Sequence, residues 1–168
     1  FSVPAAESRA VLVDIHVPEN APAGIYRGVV SLTGSVTAQV PIELTVWNFA
    51  IPSTSTLKSA FGLTWNAHCM GHGNSDCMDD YTGELALRAR YVQAALDNHI
   101  SIHIPFWNPA VSSKGVADWS DFDAYVGPAL AGTANTRLRG ATLTAVSVDG
   151  WDSPTVAGWG AHFRQKKW

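Results

Sequence analysis

The chain has 168 residues, of which 46% are hydrophobic and 15% are charged, a composition typical of a globular protein and not of a disordered one. The formal net charge is −3 and no basic stripe runs along the sequence, which argues against a nucleic-acid partner. No apolar run has the length needed to cross a bilayer, so we expect no membrane partner. The seven tryptophans predict either a sizeable core or an aromatic binding surface.

Residues 1–52 show the alternation of polar and apolar side chains that is typical of β-strands. Between Ala10 and Val17 the alternation has the period of a half-buried strand. Two more strands are predicted over 25–33 and 36–46, separated by turns that contain glycine or proline. Because a sandwich usually has about seven strands, we expect residues 1–52 to be the C-terminal part of an antiparallel β-sandwich domain.

From residue 53 onward, short apolar strands alternate with helices. Strands separated by helices pair in parallel through crossover connections. Three such units are fewer than a (β/α)8 barrel needs, so residues 53–168 are predicted to be the N-terminal part of a barrel domain. A small open α/β domain with three strands is the alternative. The predicted order is a strand at 57–63, a helix that follows Thr82 and ends at Asn98-His99, a strand at 101–104, a helix at 121–130, a strand at 143–148 and a helix beginning at 153.

The predicted fold class is therefore mixed β and α/β. It consists of a partial antiparallel β-sandwich followed by three β/α units of an incomplete (β/α)8 barrel. Neither half has enough elements to cover its own apolar surface. We therefore expect the chain to be a piece of a longer protein, or one subunit of a complex in which a second chain supplies the rest of the barrel.

The two cysteines, Cys69 and Cys77, lie close together in the sequence. A small disulfide loop would fit a secreted or extracellular protein, and two unpaired thiols are the alternative. Metal binding through these cysteines with His68 and His72 is a further hypothesis. The His-Cys-x2-His-x4-Cys spacing matches no common structural zinc pattern well, so we assign no metal ligand.

Three loops follow the predicted barrel strands, and barrel active sites lie at the C-terminal ends of strands. The loops contain aromatic side chains that can stack on a sugar and polar side chains that can hydrogen-bond its hydroxyls. Each residue also has a purely structural interpretation, as a core tryptophan, a histidine satisfied within its loop or an aspartate that fixes a turn. The candidate substrate-binding residues are Trp65, His68, His72, His103, Trp107, Asn108, Asp149 and Trp151.

Two segments, 18–28 and 40–52, followed by Ser59-Ala60-Phe61-Gly62, resemble glycoside hydrolase family 123-like proteins. The Val46-Trp47-Asn48-Phe49 junction is the more specific part of this resemblance. In that family a β-sandwich precedes a (β/α)8 catalytic barrel. The resemblance implies hydrolysis of β-linked N-acetylhexosamine, in which the acetamido oxygen of the substrate attacks the anomeric carbon and an adjacent Asp-Glu pair assists.

This chain contains no Asp-Glu dipeptide, so no catalytic residue is assigned, and the resemblance implies no cofactor. We expect the N-terminal portion of a secreted glycoside hydrolase-like protein that contacts carbohydrate and has its catalytic carboxylates outside this chain. The alternative is a non-catalytic carbohydrate-binding or structural module. A small metallohydrolase that uses His68, His72 and the cysteine loop is a third hypothesis.

Overall fold

In a computed structural model, the described residues are 2–63, 67–72, 81–103, 109–111, 117–148 and 153–168. They form six strands and five helices, and the chain divides into two compact units, unit 1 (Phe1–Ile51) and unit 2 (Pro52–Trp168). The elements are β1 (Gly24–Leu32), β2 (Ala38–Val46), β3 (Phe61–Gly62), α1 (Ala67–Gly71), α2 (Tyr81–Leu96), β4 (Ile102–His103), β5 (Ala110–Val111), β6 (Ala117–Asp118), α3 (Ser120–Tyr125), α4 (Gly127–Ala131) and α5 (Ser153–Lys166).

The prediction that residues 1–52 are part of a β-sandwich is wrong. The described residues of unit 1 form one antiparallel hairpin, which consists of β1 and β2. The predicted strand over 10–17 joins no sheet of the described chain, and its apolar residues Val11, Val13 and Ile15 are exposed. Alternation predicts that a segment is extended, but a strand also requires a neighbour that completes its backbone hydrogen bonds. The alternation in residues 10–17 was therefore not sufficient to predict a paired strand.

The register of the hairpin places apolar residues on one face. Tyr26 pairs with Leu44 and Val30 pairs with Val40 on this face, and cross-strand partners share a face in an antiparallel sheet. The opposite face holds an ion pair between the exposed side chains of Arg27 and Glu43, 2.8 Å apart. None of residues 2–51 is fully buried. Unit 1 is therefore a sheet with an apolar face and no core among its described residues.

The prediction of three β/α units is also wrong, because the described part of unit 2 contains one β/α unit. Strand β3 pairs in parallel with β4, and helices α1 and α2 lie between them in the sequence. The predicted third strand at 143–148 is not formed. In its place the backbone N–H of Thr144 donates to Ser101 Oγ at 2.8 Å, and the backbone N–H of Ser101 donates to Ser59 Oγ at 3.0 Å. These backbone N–H groups therefore donate to side-chain hydroxyls, whereas in a paired strand they would donate to backbone carbonyls.

Several short elements have no counterpart among the predictions. Helix α1 lies within the predicted loop, and the two-residue strands β5 and β6 form a small antiparallel hairpin. The segment predicted as a helix at 121–130 is broken at Val126 into α3 and α4, and Pro128 lies in the first turn of α4. Proline at this position leaves the preceding turn without a hydrogen-bond donor. No helix among the described residues combines the length and apolar character needed to cross a membrane.

The core lies in unit 2 and is built on one side of α2. Leu85, Val92 and Leu96 recur at helical spacing and are each about 3% exposed. They belong to a cluster of buried residues that draws on α2, α3, α4, α5 and the segment after α4. Edge-on aromatic contacts join its centre, with the Phe122 and Trp159 rings 5.0 Å apart. The full cluster is Leu85, Val92, Leu96, Phe122, Val126, Ala129, Ala141, Leu143 and Trp159.

Helix α2 ends in a left-handed turn that directs the chain toward β4. The backbone of His99 has φ of 58°, its N–H donates to the carbonyl of Leu96, and the N–H of Ile100 donates to the carbonyl of Ala95. This pair of bonds defines a Schellman motif, in which the left-handed position is most often glycine. Five residues lie between Leu96, the last residue of α2, and Ile102, the first residue of β4, so the position of α2 constrains the start of β4.

We expect Leu96→Ala to lower the free energy of unfolding of unit 2 by about 2 to 5 kcal/mol, because it removes buried methyl groups and leaves a cavity. Leu57→Ala is the matched control, since Leu57 belongs to unit 2 and is 79% exposed. The control should change stability by less than about 0.5 kcal/mol. Urea unfolding followed by tryptophan fluorescence measures both, and equal losses would contradict the placement of the core.

Candidate functional site

The carboxyl ends of β3 and β4 meet at one edge of unit 2, because the two strands are parallel and Gly62 is in register with His103. A Cβ atom built on Gly62 would lie 3.4 Å from Nε2 of His103, so the imidazole packs against the glycine backbone. The Nδ1 atom of His103 is buried and has no hydrogen-bond partner among the described residues. We call Gly62 and His103 the strand-end site.

The other candidate residues that follow these strands in sequence are Trp65, three positions after β3, and Trp107 and Asn108, four and five positions after β4. These three lie outside the described residues. Asp149 and Trp151, the candidates from the third predicted loop, also lie outside them. Their assignment as substrate-binding residues stays a prediction.

His68 lies in α1 and is 1% exposed, although it was predicted as a loop residue that contacts ligand. Its Nε2 atom accepts a hydrogen bond from Nε of Arg88 at 3.2 Å and lies 3.3 Å from Oε1 of Glu84. Arg88 also donates from Nη2 to the same Glu84 oxygen. The spacing of four residues places Glu84 and Arg88 on one side of α2, facing α1.

Nδ1, the other ring nitrogen of His68, has no hydrogen-bond partner among the residues that the structure describes. A neutral imidazole carries one donor and one acceptor nitrogen, and Nε2 acts as the acceptor toward Arg88. Nε2 also lies within hydrogen-bond distance of the Glu84 carboxylate, toward which it would be the donor, so these contacts do not assign the proton to one nitrogen. In either tautomer Nδ1 is buried and makes no hydrogen bond within the described part of the chain, and an unsatisfied buried polar atom costs about 1 to 3 kcal/mol.

Cys69 follows His68 in α1, is 2% exposed and is disulfide-bonded. The sequence contains one other cysteine, Cys77. Donor atoms of His68, Cys69 and Glu84 all lie within 4.8 Å of one another. We call these three residues, together with Arg88, the imidazole cluster.

His72 is exposed and does not enter this cluster. Its ring and that of His68 both lie edge-on to Tyr91, with centroids 6.2 Å and 6.3 Å away. Within the described residues no hydrogen bond or ring contact joins His103 to either of these histidines. The structure therefore brings His68 and His72 to one tyrosine of α2 and places His103 at the strand ends.

Sequence reasoning missed the partners of His68. Glu84 and Arg88 are not among the candidate residues that the sequence indicates. Arg88 is 9% exposed, and the signal that could have revealed it is its position, three residues after Leu85 and four before Val92, on the apolar stripe itself. A charged residue on that stripe requires a buried partner.

A second polar cluster joins α3 to α5. Nε2 of His162 lies 2.6 Å from one oxygen of Asp123, and Nζ of Lys166 lies 2.5 Å from the other. The imidazole of His162 also stacks on Trp119, with centroids 4.0 Å apart and planes 7° from parallel. Burial alone would raise the pKa of the Asp123 carboxyl, but hydrogen bonds and charges from Lys166 and His162 outweigh it and hold the pKa below its usual range.

The comparisons with known proteins add no relative. The chain matches no protein-family model, no curated protein and no solved structure. The resemblance to glycoside hydrolases therefore stays a proposal.

We expect Asp123→Asn to lower stability at pH 6 by about 1 to 3 kcal/mol, because it removes the charge that Lys166 and His162 share. A depressed folded pKa adds stability above the unfolded value, about 3.9, and this stability is lost as the pH falls through the folded value. The difference between the wild type and the variant should therefore shrink below about pH 4. Urea unfolding at pH 3 to 6 measures it, and parallel pH profiles for the two proteins would contradict the assignment.

Proposed function

We propose that this chain is the non-catalytic N-terminal portion of a secreted glycoside hydrolase-like protein. The whole protein would act on β-linked N-acetylhexosamine sugars by substrate-assisted hydrolysis, with its catalytic carboxylates outside this chain. The role of this chain would be to contact the sugar. The proposal rests on the resemblance carried by residues 18–28 and 40–62 and on the strand-end site.

The observation that carries the proposal is the position of His103. Parallel strands that end side by side start two loops from one edge, and such edges are where α/β proteins bind small ligands. His103 is the last residue of β4, next to Gly62 at the end of β3. In sequence, Trp65 and Trp107 follow these two strands within four residues.

The chemistry of these residue types suits a carbohydrate. An imidazole nitrogen without a protein partner can exchange a hydrogen bond with a sugar hydroxyl or with an acetamido group. Tryptophan offers a large apolar face for the C–H side of a pyranose ring and an N–H for a hydroxyl. His103 Nδ1 has no hydrogen-bond partner in the described ranges, which accords with a neutral, hydroxyl-rich ligand.

The apolar face of the hairpin in unit 1 supports the same proposal. Val40 is 49% exposed and Leu32 is 46% exposed on that face. Exposed apolar surface of this kind often marks contact with other protein. The face therefore accords with additional protein, from the same polypeptide or from a second chain, beyond the residues described.

Binding tests the proposal directly. We expect the purified chain to bind β-glycosides of N-acetylglucosamine or N-acetylgalactosamine in isothermal titration calorimetry. Trp65→Ala and Trp107→Ala should each weaken binding about tenfold, which corresponds to the loss of one aromatic contact. His103→Ala should weaken it about three- to tenfold, as expected for one hydrogen bond.

Trp47→Ala is the matched control, because Trp47 lies in unit 1 and is 66% exposed. It should leave the affinity unchanged, and circular dichroism should show that every variant is folded. If the wild-type chain binds neither sugar, or if the control weakens binding as much as the variants do, the strand-end site is not the sugar site.

We expect the chain alone to release no p-nitrophenol from p-nitrophenyl β-N-acetylhexosaminides. Substrate-assisted hydrolysis needs one carboxyl group to orient the acetamido group and another to protonate the leaving oxygen, and the chain has no Asp-Glu pair to supply them. Absorbance of the released phenolate measures turnover, with boiled protein as the blank. Turnover that co-purifies with the chain would disprove the placement of the catalytic residues outside it.

A further inference from the structure

Strand β1 of unit 1 has an outer edge that no described residue covers. Its sheet has two strands, and outside the pairing with β2 the described residues make no backbone hydrogen bond to β1. A two-stranded hairpin is only marginally stable in water, and a third strand is one of the features that stabilise it. The outer edges of the hairpin are therefore the places where a partner strand would add.

Pro41 in β2 determines which backbone groups of β1 point outward. In an antiparallel sheet, residues directly opposite each other alternate between pairs that exchange two hydrogen bonds and pairs that exchange none. Pro41 has no N–H and is in register with Val29, so these two residues form a pair of the second kind. The N–H and C=O groups of Val29 therefore point away from β2, and so do those of every second residue along β1. We call the N–H groups of these residues the outward amides: Ile25, Arg27, Val29 and Ser31.

The two outer edges of the hairpin differ. The same alternation places Pro41 on the outer edge of β2, where a backbone donor is missing in the middle of the strand. Proline on an edge strand is one of the devices that prevent another strand from adding. Strand β1 contains no proline, and its one charged residue, Arg27, already lies 2.8 Å from Glu43. The edge of β1 thus presents an uninterrupted row of donors and acceptors.

We propose that the outer edge of β1 is a docking site for one further extended strand of polypeptide from outside this chain. The outward amides and the carbonyls of the same residues would bind it, in the recognition mode in which a peptide adds a strand to an exposed sheet edge. None of these backbone groups has a hydrogen-bond partner among the described residues. The proposal does not depend on the sugar site, which lies in unit 2.

The side chains of β1 define the strand that fits. On the apolar face, a Cβ atom built on Gly28 would meet no atom within 4 Å, and glycine inside a strand often marks the close approach of another backbone. On the opposite face, the Arg27 side chain is 71% exposed, and its guanidinium has donors left for a second carboxylate beside that of Glu43. The partner strand should therefore alternate, with apolar side chains on the first face and a carboxylate opposite Arg27.

The strands of a second copy of this chain match this description poorly. Strand β1 has no acidic residue that could lie opposite Arg27, and the outer edge of β2 is interrupted by Pro41. Residues 10–17 of the same chain are exposed and do not pair with β1. These observations favour a strand from outside the chain. Its carboxylate would set the register more than the affinity, because exposed ion pairs contribute little binding energy.

Hydrogen exchange of single backbone amides tests the docking site. The probe is the peptide TVTVDVTVT, which alternates threonine with valine and has an aspartate at its centre. In the free chain, we expect the outward amides to exchange fast and the amides between them, which donate to β2, to exchange slowly. Peptide at millimolar concentration should slow the exchange of the outward amides at least about tenfold. A ligand on the face of the sheet would not select every second amide.

Variants locate the interface on one edge. Val29→Pro removes an outward donor from β1 and should weaken peptide binding about tenfold. Thr45→Pro is the matched control, because it removes an outward donor from β2, and it should keep the wild-type affinity. A peptide with lysine in place of aspartate should bind about threefold more weakly, since like charges would lie opposite each other. Circular dichroism shows whether each variant is folded.

Three results would overturn the proposal. The first is no slowing of the outward amides by the peptide, and the second is their protection in the free monomer, which would assign the edge to another segment of this chain. The third is self-association in sedimentation with protection of the outward amides, which would assign the edge to a second copy. The wild-type exchange data decide even if the proline variants do not fold. Failure here leaves the sugar-binding proposal intact, because that proposal uses other residues.

Discussion

The charged residue Arg88 lies on the apolar stripe of helix α2, and the arrangement of this part of the protein follows from the need to neutralise it. A guanidinium that is 9% exposed cannot be left without partners. Glu84, one turn earlier, provides a carboxylate, and His68 of α1 provides a nitrogen acceptor. These contacts hold α1 against α2, and the disulfide-bonded sulfur of Cys69 is buried beside them.

The same helix positions the strand-end site. Its apolar stripe packs into the core of unit 2, and its left-handed C-terminal turn at His99 is followed almost at once by β4. Hydroxyl contacts among Ser59, Ser101 and Thr144 then fix the start of the parallel pair. The position of His103 therefore depends on contacts made throughout α2, and not only on its two-residue strand.

The sequence predicted elements well where one residue pattern decides the structure. Helix α2 and the hairpin strands β1 and β2 follow their periodicities, because each satisfies its backbone hydrogen bonds within itself or with its immediate neighbour in the chain. The failures are segments that need a distant partner. Residues 10–17 and 143–148 have the sequence patterns of strands. Whether a strand pairs depends on the tertiary fold, which a period-two pattern does not predict.

In the candidate site, too, single residues could be predicted from the sequence, but the contacts between distant residues could not. The sequence indicates His68 and His103 as polar residues near predicted strand ends, and each has a buried nitrogen that finds no hydrogen-bond partner among the described residues. Glu84 and Arg88 were missed, because their role depends on contacts between residues 16 to 20 positions apart. The Asp123–His162 contact spans 39 positions and was likewise not predictable.

The absence of any fully buried residue between positions 2 and 51 has a thermodynamic consequence. The heat-capacity increment of unfolding arises from apolar surface that becomes hydrated. A hairpin whose apolar face is already hydrated contributes little to it, so most of the increment belongs to residues 52–168. Calorimetry would thus register the melting of the second unit, while the first would pass from ordered to disordered with almost no thermal signal of its own.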